Sequence, residues 1–268
     1  MKKLLLAASL SFAVLPAQAA TIAPHRAIYD LGLLQLRQGA DLSSIKGRLA
    51  FEIDGSTCEG WTVSFRMINK FQPMEGDAKL VDTQSTSYES ADALVLRYNQ
   101  HEFINRAAQP ETRISVARDG LDKDGKGEQG DKGSAPFIVP PGTAFPMQHQ
   151  FRLMAAAEKG QSRDDSMIYD GSDADKTFRA ISFIGKRKAP GGNVRDAADG
   201  DAAALSGLAS WPVTISYYHG DSGDTPDYQV SFDIYENGVA TGLVLDYGDF
   251  VLGGDLAKLE LLETEPCK

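Results

Sequence analysis

Two cysteines are the residues best suited to covalent chemistry in this chain of 268 residues. Cys58 follows the turn sequence Asp54-Gly55-Ser56, and Cys267 is the penultimate residue. A redox role is not indicated, because the sequence has no Cys-x-x-Cys motif. Two cysteines without clustered histidines also make a poor zinc site. We therefore expect a disulfide between Cys58 and Cys267, with metal binding as the competing interpretation.

Histidines and acids form one loose cluster of catalytic residue types. It lies between two aromatic-rich stretches and consists of His219, Asp221 and Asp224. Spacing along the chain does not decide whether a catalytic triad assembles in space, so that alternative stays open. The sequence lacks the Gly-x-Ser-x-Gly and His-Glu-x-x-His motifs and a phosphate-binding glycine loop. We expect polar turn residues in this cluster, no catalytic residue, no cofactor and no enzymatic activity.

An acidic segment, DGLDKDGKGEQGDKG, spans residues 119–133. Three of its positions match the pattern of a calcium-binding loop: Asp122, Asp124 and Gly127. Lys126 and Gly133, however, occupy positions where that pattern requires ligands. We therefore expect a solvated loop and no metal ion.

The first 19 residues have the three parts of a secretory signal peptide. Lys2 and Lys3 precede an apolar run, Leu4–Leu15, which is followed by the small residues of Ala17-Gln18-Ala19. The run is shorter than the roughly 20 residues that span a bilayer. We expect a soluble, exported protein of the periplasm without a membrane anchor. Export would permit the disulfide, because the periplasm is oxidising.

The charge of the chain limits its partners. The formal net charge is −10, and it becomes −12 without Lys2 and Lys3. Such an excess of acids disfavours binding to nucleic acid and to anionic lipid surfaces. Hydrophobic residues make up 42% of the chain, which is enough to fill a core. We expect a single domain over residues 20–268.

Apolar and polar residues alternate along most of the chain, as in strands with one buried face. The clearest example is a hairpin over Gly47–Lys70, and Asn237-Gly238 is a strong turn signal. We predict that Val239–Leu252 forms one long strand, bent at Gly242 or Gly248, although it contains the acids of Asp246-Tyr247-Gly248-Asp249. The apolar spacing of Leu256–Thr264 fits a helix or a strand, and we predict the last strand here because Cys267 must reach a strand partner. Hairpin logic then gives roughly a dozen antiparallel strands.

One segment, FPMQHQFRLMAAAEKG at residues 145–160, is typical of a helix. Pro146 suits the first turn, and Lys159-Gly160 suits the end. At helical spacing a single face carries Met147, Phe151, Met154 and Ala155. We expect this face to plug one end of the sheet and His149, which lies off it, to be partly exposed.

The stretch Ala189–Ser210 is rich in Gly, Ala and Asp and has few large apolar residues. We expect a mobile loop that buries little apolar surface. Such loops are the preferred sites of limited proteolysis.

The chain resembles the EipB family, the cell-envelope integrity protein B family of alphaproteobacterial periplasmic proteins. The resemblance rests on the signal sequence, the two cysteines, VPPGTAFPMQH and ENGVATGLVLDYGDFVLGGDLAKLELLE. It implies an all-β fold, an antiparallel β-spiral or broken barrel in which one helix occludes an end. It also implies a bridge between an early and a C-terminal cysteine, which corresponds to Cys58 and Cys267. The long stretch Ala189–Ser210 matches the family poorly.

The resemblance implies a role in envelope homeostasis and a periplasmic tetratricopeptide-repeat protein as a partner. It carries no catalytic residues. The first functional hypothesis is therefore a non-enzymatic periplasmic protein that supports envelope integrity through protein contacts. The second is a carrier or sensor of a lipid or another apolar ligand, because a curled open sheet resembles the shapes that hold acyl chains.

Overall fold

A computed structural model describes residues 21–130, 134–174, 176–191, 199–220, 225–264 and 267. The signal sequence predicted over residues 1–19 lies outside these ranges. Within them, no helix has the length and apolar character needed to cross a membrane.

The helices are α1 (Pro146–Glu158) and a 3₁₀ helix (Asp201–Gly207). The strands are β1 (His25–Leu36), β2 (Ser44–Ser56), β3 (Gly60–Gln72), β4 (Lys79–Glu89), β5 (Val95–Ile104), β6 (Ala107–Ala108), β7 (Thr112–Ala117), β8 (Gly125–Gln129), β9 (Ser134–Val139), β10 (Arg163–Ile168), β11 (Phe178–Ile184), β12 (Asp199–Gly200), β13 (Ser210–His219), β14 (Tyr228–Tyr235), β15 (Ala240–Asp246) and β16 (Phe250–Leu261).

All these strands belong to one sheet. Its order is β10-β11-β13-β14-β15-β16-β1-β2-β3-β4-β5-β7-β8-β9, with β6 on β5 and β12 on β16. Neighbours along this path are antiparallel, and the short β12 pairs with β16 in parallel. The first strand of the chain therefore lies in the interior of the sheet, between β2 and β16. The all-β, antiparallel, open architecture predicted from the sequence is confirmed.

The sheet curls strongly, as shown by strands that are far apart in its order and yet share one core. Val63 of β3 packs against a cluster that contains Val213 of β13. At the other edge, Tyr169 follows β10 and packs with Leu96 of β5 and Val139 of β9. The concave side of this sheet is the inner face, and the space in front of it is the lumen.

The two edge strands, β9 and β10, are joined through the chain between β9 and α1. The amide of Ala144 donates to the carbonyl of Met167 at 2.8 Å, and the amide of Tyr169 donates to the carbonyl of Ala144 at 2.9 Å. These bonds form a one-residue parallel bridge to β10. We call this contact the seam. It brings the two ends of the spiral together without a full pair of strands.

The helix α1 lies at the end of the spiral that carries the β2–β3 turn. Its Leu153 and Met154 belong to the same cluster as Trp61 and Trp211. The ring of Phe151 lies 5.5 Å from that of Trp61. The predicted helix and its position at one end of the sheet are confirmed.

Two strand boundaries differ from the prediction. The predicted strand Val239–Leu252 is wrong, because it is broken by a turn at Tyr247, Gly248 and Asp249 into β15 and β16. Gly248 has a φ of +86°, which a glycine adopts without strain and which favours a turn at this point. β16 then runs on to Leu261 and ends before Thr264, the predicted end of the last strand.

The acidic segment 119–133 is not a loop throughout, because residues Gly125–Gln129 form β8. Glycine weakens a strand in general, which is why the segment reads as a loop. Here the ring of Phe137 on β9 lies over Gly127, where a Cβ atom would be only 2.2 Å from the ring. The aromatic ring of one strand thus covers the glycine of the next.

The stretch Ala189–Ser210 buries more than its composition indicates. Residues 199–207 form β12 and the 3₁₀ helix, and the side chains of Ala202 and Leu205 are buried. The helix is held beside β16, because the amide of Leu261 donates to the Asp201 carboxylate at 2.9 Å. The expectation of little buried apolar surface is therefore wrong for this part. Residues 192–198 lie outside the described residues.

Candidate functional site

The two predicted cysteines meet at the end of the spiral that α1 occupies. Cys58 lies in the β2–β3 turn and is bonded to Cys267, with a Cα–Cα distance of 5.8 Å and a sequence separation of 209 residues. The hydroxyl of Ser56 organises this turn by accepting the amide hydrogens of Cys58 and Glu59. The disulfide ties the chain beyond β16 to an early hairpin.

The histidine of the loose cluster is held by neighbours on the adjoining strands. The backbone amide of His219 donates to the Asp227 carboxylate at 2.6 Å, and its ring lies 4.1 Å from that of Phe178. Asp221 and Asp224 lie outside the described residues. His219 is the last residue of β13, and the prediction that Asp221 and Asp224 are turn residues stays a prediction.

The acids near residue 246 have a structural explanation. Arg37 donates to both carboxylate oxygens of Asp246, at 3.0 and 2.6 Å, and this contact lowers the pKa of Asp246. Asp249 contributes its backbone carbonyl, which accepts the amide of Arg37. The two acids therefore close the β15–β16 turn against the end of β1.

Of the calcium-like positions, Asp122 contacts a cationic side chain and Gly133 lies outside the described residues. The carboxylate of Asp122 lies 3.1 Å from the Lys123 ammonium, and its side chain is 80% exposed. Throughout the described ranges no cluster of three or more histidine, cysteine or acidic side chains is positioned to hold a metal ion.

A serine, a histidine and an aspartate do meet in space, although no sequence motif relates them. The Oγ of Ser182 lies 3.5 Å from Nε2 of His149, and Oδ2 of Asp164 lies 3.8 Å from the same nitrogen. A catalytic triad needs its acid on the other ring nitrogen. Ser182 is fully buried, so a substrate cannot reach it. This group fastens α1 to β10 and β11.

The expected partial exposure of His149 is therefore wrong, since the side chain is only 5% exposed. Burial lowers the pKa of His149 to about 4, against the opposing effect of the Asp164 carboxylate. The nearby Arg152 guanidinium binds Asp164 at 2.7 Å and lowers the pKa further. The imidazole is thus held neutral between the helix and the sheet.

A buried carboxylate caps the N-terminal end of α1. The side chain of Glu89, at the end of β4, accepts the amide hydrogens of Met147 at 2.8 Å and Gln148 at 2.9 Å. These amides belong to the first turn of the helix, where no intrahelical partner exists and where the helix dipole favours an anion. Burial raises the pKa of Glu89 to about 7, although both amides and Arg118 favour the charged form.

Arg118 completes this clamp between the sheet and the helix. Its guanidinium donates to the carbonyls of Ala93 at 2.7 Å and Thr143 at 2.7 Å, and it lies 4.2 Å over the ring of Phe145. Sequence analysis missed both Glu89 and Arg118. Neither belongs to a local motif, because the clamp forms only when β4, the end of β7 and α1 come together.

The inner face is open to solvent in front of β4 and β5. In β1 buried residues alternate with more accessible ones, whereas β4 is half-buried on both faces from Leu80 to Ser85. Residues directly opposite on antiparallel strands share a face. Ser85 lies opposite Phe65 of β3 and Gln100 of β5, so all three face inwards.

Two chemically different walls line this space. The polar wall comprises Thr83, Ser85, Ser87, Tyr98, Gln100 and Glu102. The apolar wall comprises the half-buried side chains Phe51, Phe65 and Phe232, which pack against the core at its base. Burial raises the pKa of Tyr98 to about 12, and the charge of Asp170 adds to the effect. The inner face is the best candidate for a binding surface, because it joins apolar and hydrogen-bonding groups.

Comparison with known proteins places the fold in a family. A protein from Brucella abortus (strain 2308) named cell envelope integrity protein EipB is 33% identical over 252 residues, which cover 92% of this chain and 87% of that protein. The crystal structure of a beta-barrel-like protein from Brucella abortus with a domain of unknown function superposes with a TM-score of 0.83. Its sequence identity is 31%, and the match covers 91% of this chain and 100% of the other.

A family model described as EipB-like matches residues 16–263, nearly the whole chain. This range includes the curled sheet, α1, both residues of the clamp and both walls of the lumen. The chain therefore belongs to the EipB-like family.

Proposed function

We propose that this protein is a non-enzymatic protein of the periplasm that supports the integrity of the cell envelope through contacts with other proteins. The observation that carries the proposal is the 33% identity, over 92% of the chain, to a protein named for cell envelope integrity. The signal-peptide pattern of residues 1–19 supports the location. The partner we propose is a periplasmic tetratricopeptide-repeat protein, as the family resemblance implies.

The burial, geometry and hydrogen bonds of the candidate residues support the non-enzymatic part of the proposal. The group of Ser182, His149 and Asp164 is buried and has the wrong geometry for a triad. Glu89 and Arg118 are occupied in holding α1.

The test is complementation of a deletion strain that is sensitive to detergents and cell-wall antibiotics. Replacing His219, Asp221 and Asp224 together with alanine should leave rescue intact. A stable and abundant triple variant that fails to rescue would favour a site-based function over contacts with proteins.

In-cell crosslinking followed by identification of the linked proteins tests the proposed partner. A crosslinked set without a tetratricopeptide-repeat protein would contradict that part of the proposal.

A second candidate function is the carriage or sensing of an apolar ligand. It is favoured by the half-buried aromatic side chains of Phe51, Phe65 and Phe232, which face a solvent-accessible lumen. Extraction of the purified native protein with organic solvent and mass spectrometry of the extract tests it. A molecule present in equal amount with the protein would support carriage, and a clean extract would count against it.

A further inference from the structure

The polar wall is unusual for the interior of a curled sheet. A dry core would require apolar residues at these positions, because buried hydroxyl and amide groups need partners. The wall instead carries Thr83, Ser85 and Ser87 in alternate positions of β4, and all three are half-buried. At about 3.4 Å per residue this row is about 14 Å long. It offers a line of hydroxyl groups to whatever fills the lumen.

The neighbouring strand extends the same chemistry. The hydroxyl of Tyr98 donates to the side-chain oxygen of Gln100 at 2.6 Å, and the hydroxyl of Thr83 donates to the Glu102 carboxylate at 3.4 Å. These side chains are pre-arranged by bonds to one another, and they keep further donors and acceptors for a ligand. Neutral groups therefore dominate the wall, and its only formal charge is the carboxylate of Glu102.

Charge at this wall selects against anions. Arg118 is buried and already donates to two backbone carbonyls, so it does not offer a free cation to the lumen. Asp170 lies near enough to raise the pKa of Tyr98, which adds a second negative charge on this side. A carboxylate or phosphate group placed against the polar wall would be repelled by Glu102, and none of the six residues of the wall carries a compensating positive charge.

The apolar wall supplies the other half of the recognition. Phe51 and Phe65 are directly opposite each other on β2 and β3, and Ser85 is directly opposite Phe65. The change from aromatic to hydroxyl surface thus takes place between two neighbouring strands. A purely apolar ligand would leave the polar wall without partners, and a purely polar one would leave the rings uncovered.

We infer that the lumen binds an amphipathic molecule whose polar part is uncharged and rich in hydroxyl groups. Its apolar chain lies along Phe51, Phe65 and Phe232, and its hydroxyl groups bond to the polar wall. This inference rests on the second candidate function and names the class of its ligand.

Three probes with the same eight-carbon chain test the selection on the unaltered protein: octyl-β-glucoside, octanoate and octylamine. Binding is measured by isothermal titration calorimetry with each probe in monomeric form. We expect the glucoside to bind at one site and at least tenfold more tightly than octanoate, which the carboxylates repel. We expect the same margin over octylamine, because its single ammonium group can pair with Glu102 but leaves the row of hydroxyl groups on β4 without ligand partners. Equal or tighter binding of either charged probe would overturn the inference while preserving carriage. If none of the three binds, carriage itself fails.

A pair of variants locates the site. Ser85→Val combined with Ser87→Val removes two hydroxyl groups from the polar wall and keeps residues that favour strands. The matched control, Ser64→Val with Thr86→Val, changes a cross-strand pair on the opposite face of β3 and β4. We expect the inner pair to weaken glucoside binding at least tenfold and the outer pair to leave it unchanged. Equal effects of the two pairs would contradict a site at the polar wall, and circular dichroism checks that both variants are folded.

Discussion

Two buried titratable side chains, Glu89 and His149, hold α1 to the sheet and respond to pH in opposite directions. The pKa of Glu89 is raised by burial, so its contribution to stability is full below its ordinary pKa and is lost as the pH rises through about 7. The pKa of His149 is lowered by burial, so its contribution is full above its ordinary pKa and is lost as the pH falls through about 4. Between pH 4.5 and 6.5 the two effects oppose each other.

Replacing Glu89 with Gln should therefore change the pH dependence of stability. As the pH rises from 4.5 to 8, the wild type should lose stability relative to the variant by on the order of 3 kcal/mol. The measurement is urea denaturation across this pH range, with the free energy of unfolding compared at each pH. Curves that stay parallel would show that Glu89 does not titrate in this window.

Replacing His149 with Gln should have the opposite signature. The wild type should lose stability relative to this variant as the pH falls from 6.5 to 4, again by on the order of 3 kcal/mol. The same denaturation series measures it. If the wild type and the His149 variant respond to pH in the same way, the imidazole is not held neutral in the folded protein.

Neither of these residues could be assigned from the sequence. His149 lies off the apolar face of the predicted helix, and its burial results from the approach of β10 and β11 on a second side. Glu89 sits at the end of a polar strand, where a solvent-exposed carboxylate is the ordinary expectation. The cysteines could be paired because the chain contains two of them and because export permits a bridge.

At the scale of elements, the 3₁₀ helix forms part of the core beside β16. Leu205→Ala should cost about 2–5 kcal/mol of unfolding free energy, because it removes a fully buried side chain. Leu34→Ala is the matched control, since Leu34 is 62% exposed and should change stability by less than about 0.5 kcal/mol. Thermal and urea denaturation measure both. Equal losses would indicate that the helix does not pack as described.

The seam is the second element whose contribution can be isolated. Ala144→Pro removes the amide that donates to Met167, and we expect the edge of β10 to open. Native-state hydrogen exchange should then be faster at the amide of Tyr169, which donates to Ala144. Ala91→Pro, in the exposed β4–β5 turn, should leave that exchange unchanged. Unaltered protection of Tyr169 in the Ala144 variant would mean that the seam holds without this bond.

Strands with clean alternation could be predicted from the sequence, and the exceptions have identifiable causes. The hairpin of β2 and β3 was readable because its apolar residues alternate on both sides of a turn. β8 was not, because its two glycines are typical of a loop and the ring of Phe137 that covers Gly127 belongs to another strand. The partner of β1 was also beyond reach, since no local signal relates His25–Leu36 to Phe250–Leu261. The inner face could not be told from the outer one at β4, because both carry polar residues.

At the scale of the whole molecule, the disulfide closes a loop of 209 residues. The chain-entropy model gives such a bridge on the order of 5 kcal/mol, and measured values are commonly lower. Cys58→Ser should therefore melt earlier, remain folded through its apolar core and rescue a deletion strain only in part. Calorimetry under non-reducing conditions and protein abundance in cells measure these effects. An unchanged melting temperature would show that the bridge contributes nothing to folding stability.

The position of β1 has a consequence for how the protein is made. A chain leaves the ribosome or a translocation channel with its N-terminus first, yet β1 pairs with β16, the last strand to emerge. Until then one edge of β1 displays unpaired amide and carbonyl groups, a template for wrong pairing with other chains. This edge of β1 thus stays without its partner strand for most of the time that the chain takes to appear. A chain cut short before Phe250 lacks β16, so this edge of β1 stays unpaired. Pairing of this edge therefore distinguishes complete chains from truncated ones.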